Sequence, residues 1–111
     1  MFNHSLTSEM ETELNDILSA ALETAKIVGF GRLNHNNTSH VASCRESLVV
    51  HYFKTVEDLQ QAVMYAAIEN ECLQILAQGV ALQNEVALKA PEKLINNSLC
   101  WLSRQAALEF K

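Results

Sequence analysis

Residues that interrupt helices are scarce in this chain. Its 111 residues include one proline, at position 91, and three glycines, at positions 29, 31 and 79. Glycine and proline are the residues that a helix interior tolerates least, and a fold of many short strands needs them often in its turns. The sequence therefore predicts an all-α fold, and a chain of this length predicts a single domain over residues 1–111.

The first helix is predicted by a capping signal and an apolar stripe. Ser8 and Glu11 have the Ser-x-x-Glu spacing of a capping box. Apolar residues then recur at helical spacing on one face: Leu14, Ile17, Leu18, Ala21, Ala25 and Val28. Gly29 is suited to the position that ends a helix. We therefore predict a helix over about residues 9–28.

A polar segment follows over residues 32–40, and it is poor in strong helix formers. Two interpretations fit it: a short helix over about residues 35–42, or an ordered loop. In either case Val41 and Ala42 are the best candidates for a buried contact, because they are the apolar residues at its end.

The next helix is predicted by a second capping box. Ser43 and Glu46 repeat the Ser-x-x-Glu spacing, so Ser43 is expected to cap a helix and Glu46 to bond back to a backbone amide. We predict that this third helix runs to about Tyr52, with Leu48 and Val49 facing inward.

The remaining residues, 55–111, predict one long helix and one C-terminal helix. Thr55 is suited to cap the long helix, and Pro91 is suited to the first turn of the last one. Apolar residues are so dense that they cover more than one face of each helix, which predicts burial on two sides. Two copies would then form a four-helix dimer interface. Its candidate residues are Leu73, Leu76, Val80, Leu99 and Leu102.

Charge is distributed unevenly along the chain. The net charge is −5, yet residues 30–54 carry Arg32, Arg45 and Lys54 against a single acid, Glu46. Salt screens charges beyond about 8–10 Å, so local placement matters more than the total. The sequence thus offers one positive segment that could face an anionic partner.

Several classes of site find no support in the sequence. The cysteines, at positions 44, 72 and 100, have no C-x-x-C spacing and are expected to be reduced thiols. His35, His40 and His51 lack the further ligands of a metal site. No catalytic triad or glycine-rich phosphate loop can be assigned, so we predict no enzyme activity, cofactor or metal.

The sequence also gives an expectation about location. The first five residues, Met-Phe-Asn-His-Ser, lack the basic and apolar regions of a secretory signal. Polar residues interrupt every apolar stretch well before membrane-spanning length. We therefore expect a cytoplasmic protein that does not contact membranes.

The run Leu-Val-Val-His-Tyr-Phe-Lys-Thr-Val-Glu-Asp-Leu over residues 48–59 resembles the end of the DNA-reading unit in the tetracycline-repressor (TetR) family. Upstream, Ile-Leu-Ser-Ala-Ala-Leu over residues 17–22 and Gly29-Phe30 resemble that family's first helix and its exit. The resemblance covers about residues 14–63. It implies a three-helix, helix-turn-helix-like unit over residues 8–54, followed by a two-helix dimerisation hairpin that is much shorter than in full-length members.

The resemblance also implies a binding role for the third helix. In helix-turn-helix proteins this helix enters the major groove of double-stranded DNA, so Arg45 and Ser47 would reach base edges or phosphates. Tyr52 and Lys54 fall where the family commonly contacts the phosphate backbone, and His51 lies beside them. The expected function is that of a homodimeric regulator, most simply a repressor, that reads a palindrome.

One alternative belongs to a different class of protein. A protein-interaction module could keep this fold without binding DNA, and could inhibit or adapt another regulatory or replication protein. The acidic total and Glu46 favour this interpretation, whereas the local positive segment favours DNA.

Overall fold

The computed structural model describes the backbone of residues 4–109 and the side chains of residues 10–105. All regular structure in this range is helical, which confirms the all-α prediction. The elements are α1 (His4–Val28), a 3-10 turn (Phe30–Arg32), α2 (His35–Ala42), α3 (Glu46–Tyr52), α4 (Val56–Glu69), α5 (Leu73–Ala81), α6 (Glu85–Leu88) and α7 (Glu92–Glu109). No helix in the described range is both long enough and apolar enough to cross a bilayer.

Helix α1 begins earlier than the sequence predicted. It already includes His4, so Ser8 lies inside the helix and not at its start; the capping contact predicted for the Ser8 side chain lies outside the described residues. Extending an existing helix fixes one residue per hydrogen bond gained, so a capping sequence within it need not start it. The predicted end is confirmed. Gly29 has φ 97°, and its N–H donates to the carbonyl of Ala25 at 2.9 Å.

The 3-10 turn after α1 is fastened to the rest of the core by two glutamine side chains. Gln78 Oε1 accepts a hydrogen bond from the Phe30 N–H at 2.6 Å. Gln60 Nε2 donates to the Leu33 carbonyl at 3.2 Å. Phe30 and Leu33 are themselves buried. The junction between α1 and α2 is therefore held by residues of α4 and α5.

Helix α2 has the predicted bounds, His35–Ala42. A reciprocal capping box begins it, in which Asn34 and Asn37 each accept the other's backbone N–H at 2.9 Å. The predicted core contact of Val41 is wrong, because that side chain is 43% exposed. Thr38 and Ser39 are buried instead, so this helix turns a polar face to the interior.

Ser43 does not cap α3, contrary to the prediction. It adopts a left-handed conformation (φ 56°, ψ 45°) that ends α2, and its N–H donates to the carbonyl of His40 at 3.3 Å. Helix α3 begins three residues later, at Glu46, with no side-chain cap. Glu46 likewise makes no capping contact and accepts a hydrogen bond from Asn36 Nδ2 at 3.1 Å. The inward position of Val49 is confirmed.

The single long helix predicted after Thr55 is broken in the structure. Thr55 does cap α4, accepting the Asp58 N–H at 3.0 Å. The chain then turns at Glu71 (φ 52°) and Gln83 (φ 59°), and α5 and α6 pack back against α4. The dense apolar residues are therefore largely buried within one chain. The predicted last helix is present and begins at Glu92, so Pro91 directly precedes its first turn and does not lie within it.

Close packing between α4, α5 and α6 centres on Gly79. A Cβ added at this position would meet Met64 and would lie 2.9 Å from Ala87 Cβ. Real Cβ atoms essentially never approach that closely, so only glycine lets α5 sit at this depth. Helix α7 packs on α5, further from α1 and α2.

Candidate nucleic-acid interface

The residues expected to contact DNA surround α3. Arg45 precedes the helix, Ser47 lies in its first turn, and Lys54 follows its end; all three side chains are exposed. A helix of this length spans about 10 Å, so the two cations flank its ends. His51, four residues after Ser47, is exposed on the same face. The buried Val49 supports the helix from behind.

His35 fixes the end of α3, a role that the sequence did not predict. Its Nε2 lies 2.6 Å from the Phe53 carbonyl oxygen and donates to it. The Phe53 N–H in turn donates to the carbonyl of Val49 at 2.8 Å, and the Phe53 side chain is buried. The first residue of α2 thus holds the segment that carries His51 and Lys54.

An acid lies at the start of α3, directly beside Arg45. Glu46 occupies the first turn, where the helix dipole favours a negative charge. Its hydrogen bond to Asn36 joins α2 and α3 on the exposed side. This carboxylate reduces the positive potential next to Arg45, the residue expected to reach a base edge.

Tyr52 is half-buried, and its hydroxyl is already engaged. It donates to Glu13 Oε1 of α1 at 2.6 Å. This hydrogen bond raises the pKa of Tyr52, and desolvation and the negative charge of Glu13 raise it further. The Tyr52 ring also meets the His51 ring edge-on, with centroids 5.1 Å apart. Glu13 was not predicted as a site residue, since nothing in the sequence links positions 39 residues apart.

The proposed dimer residues separate into three groups. Leu76 is only 1% exposed within its own chain, so its predicted role as an interface contact is wrong. Leu73 and Val80 on α5 are half-buried. Leu99 and Leu102 on α7 are each 44% exposed, and their three-residue spacing puts them on one face of the helix.

Other potential ligand groups are dispersed. Within the part of the chain that the structure describes, no three His, Cys, Asp or Glu side chains are grouped so that they could hold a metal ion. Cys44 and Cys72 are half-buried free thiols, and Cys100 is an exposed one.

Comparisons with protein-family models, with curated proteins and with solved structures give no match. The features of this chain that bear on its function are therefore the exposed residues around α3 and the exposed face of α7.

Proposed function

We propose that this protein is a small DNA-binding regulator with a TetR-like arrangement of α1–α3, and that it reads duplex DNA with α3. The observation that carries the proposal is the helix pair α2 and α3. The two helices are joined by a three-residue turn over residues 43–45, and the leading residues of the second helix are exposed. That is the arrangement with which helix-turn-helix proteins present side chains to the major groove.

The exposed side chains have chemistry suited to this role. Arg45 can donate two parallel hydrogen bonds to guanine, the commonest specific contact in the major groove. Ser47 can donate to a base or to a phosphate oxygen. Lys54, beyond the far end of α3, can neutralise a phosphate. These residues belong to a segment, 30–54, in which three cationic side chains outnumber one acid, and this local excess supports an anionic partner.

The exposed face of α7 supports a dimer. Leu99 and Leu102 are large apolar side chains, both well exposed in one chain. A symmetric contact between two α7 helices would cover them. Two copies of α3 would then read a palindrome whose half-sites lie about one helical turn, roughly 34–36 Å, apart. Such a dimer would repress transcription by occupying a promoter.

A binding titration at several salt concentrations tests the proposal. With a pool of labelled duplexes, log affinity should fall linearly with log salt, because phosphate contacts release counterions. Lys54→Ala should weaken all sequences alike and lower the salt slope by about one contact. Lys93→Ala is the matched control, since Lys93 is exposed on α7 away from α3; it should leave the slope unchanged. Absent or salt-independent binding would overturn the proposal.

Two acids favour the second candidate, a protein-interaction module. Glu46 is the first residue of α3 and bonds to Asn36, and Glu13 contacts Tyr52 from α1. Their negative charges lower the attraction of the α2–α3 unit for phosphate. In this case the Leu99 and Leu102 face of α7 would bind another regulatory or replication protein. Sedimentation of the wild-type chain as a monomer, together with no DNA binding, would favour this function over the first.

A further inference from the structure

We propose that Glu13 is a built-in competitor of DNA phosphate for the hydroxyl of Tyr52, and that the bond between them sets the DNA affinity of the α3 surface. This inference rests on the proposed DNA-binding function and names how that site is regulated. It requires no ligand other than DNA.

The geometry makes the two contacts mutually exclusive. The Tyr52 hydroxyl has one hydrogen, and it is donated to Glu13 Oε1 at 2.6 Å. Ionised carboxylates and phosphate oxygens are both acceptors only. A phosphate can therefore take the Tyr52 hydrogen only if Glu13 gives it up. The raised pKa of Tyr52 agrees with this arrangement, because the proton is held between two oxygen atoms.

Charge adds to this competition. The Glu13 side chain is exposed, so a phosphate arriving at Tyr52 would meet a carboxylate of the same sign. Glu13 comes from α1, whereas Tyr52 is the last residue of α3. DNA binding at Tyr52 thus breaks a link between the two helices. The DNA-free protein is the form in which this link is closed.

The hydrogen bond between Tyr52 and Glu13 can break without unfolding the core. His35 and Phe53 fix the end of α3 from α2, independently of Glu13. The His51 ring lies edge-on against the Tyr52 ring and limits where the freed hydroxyl can move. We therefore expect the tyrosine to exchange one acceptor for another while α3 remains folded.

A double-mutant cycle in DNA binding tests the competition. In Glu13→Ala, DNA no longer has to break the hydrogen bond between Tyr52 and a charged carboxylate. We therefore expect this variant to bind DNA roughly tenfold more tightly. Glu13→Gln keeps an acceptor for Tyr52 but loses the charge, so it should give a smaller gain, roughly threefold. Tyr52→Phe in the wild-type background should change affinity by less than about twofold, because the hydrogen bond that the hydroxyl gains to phosphate is offset by the one it loses to Glu13.

The double variant Glu13→Ala with Tyr52→Phe should lose most of the gain, because the freed hydroxyl is then absent. Glu11→Ala is the matched control. Glu11 is an exposed acid two residues away on α1, so its removal changes the net charge equally; it should give a much smaller gain than Glu13→Ala. Circular dichroism of each variant should show unchanged helix content.

The outcomes separate the two proposals. If the wild-type chain binds DNA and Glu13→Ala binds equally, the competition is wrong. If Glu13→Ala binds more weakly, the competition is also wrong and the bond instead positions α3 for binding. If Glu11→Ala and Glu13→Ala give equal gains, only net charge matters and the hydrogen bond has no special role. If neither the wild-type chain nor any variant binds DNA, the proposed function fails, and this inference fails with it.

Discussion

The α2–α3 pair and the α4–α6 cluster are stabilised in different ways. Polar contacts hold the first: the Asn34–Asn37 box, the His35–Phe53 bond and the Asn36–Glu46 bond. The second depends on close apolar contact around Gly79. A short helix pair with one exposed face buries few apolar side chains, here Val49 and Phe53, so side-chain hydrogen bonds help to orient it. Variants of the first region should therefore lose stability through lost hydrogen bonds, and variants of the second through steric overlap.

The largest effect is expected at Gly79, where the apolar region has no spare volume. Gly79→Val would place methyl groups against Met64 and Ala87 and should lower the free energy of unfolding by about 3 kcal/mol. Ala81→Val, at an exposed position of the same helix, should stay within about 0.5 kcal/mol. Urea denaturation measures both. Equal midpoints would show that α5 is not closely packed there.

The next largest effect is expected at His35, whose hydrogen bond is central to the α2–α3 pair as Gly79 is central to the α4–α6 packing. His35→Ala removes the donor to the Phe53 carbonyl and should cost about 1–2 kcal/mol. Hydrogen exchange should show the loss concentrated at the end of α3. His40→Ala, exposed on the same helix, serves as the control and should be nearly neutral. A uniform loss of protection would mean that the polar contacts do not act locally.

A smaller effect of opposite sign is expected at Thr38. Its Oγ1 is buried and, within the described residues, has no hydrogen-bond partner. Thr38→Val replaces this hydroxyl with a methyl group of similar size and should raise the unfolding free energy by about 1 kcal/mol. Thr38→Ser keeps the hydroxyl and should be less stable than the wild type. A destabilised valine variant would show that the hydroxyl is satisfied by water.

The smallest effect concerns pH and Tyr52. Because its folded pKa is raised above the ordinary 10.0, the stability it contributes is complete below pH 10.0 and is lost as pH rises through the raised value. Glu13→Ala should lower the pKa of Tyr52. Tyrosinate absorbance measures this, with Tyr52→Phe to identify the signal against Tyr65. An unchanged titration in Glu13→Ala would mean that the two groups do not interact in solution.

Local signals in the sequence predicted only part of this fold. Gly29 and Thr55 act where their residue types predict, because a glycine exit and a threonine cap depend on their immediate neighbours. Ser43 also has a capping spacing, to Glu46, but it ends α2 and does not begin α3. The spacing describes only the residues after Ser43, so it could not show that the preceding helix continues up to this residue. The breaks at Glu71 and Gln83 use left-handed residues that are not glycine, so no residue type marked them.

The sequence likewise predicts some features of the candidate site and not others. The exposure of Ser47 follows from helical periodicity with Val49 inward. Arg45 and Lys54 lie just outside the two ends of this helix, and charged side chains at such positions are mostly exposed. The contacts that orient this surface are not predictable from spacing. His35 meets a backbone carbonyl 18 residues away, and Tyr52 meets a side chain 39 residues away. Only the folded packing of α1, α2 and α3 brings these groups together.

The two glutamine contacts at the 3-10 turn have a practical consequence. Gln60 and Gln78 hold that turn through neutral amides, which neither titrate nor attract counterions. Changes of ionic strength or moderate pH therefore leave this joint intact while they alter the charged surface near α3. If the proposed DNA binding holds, a salt series therefore reports on the charged surface near α3, while the turn that positions α2 stays unchanged.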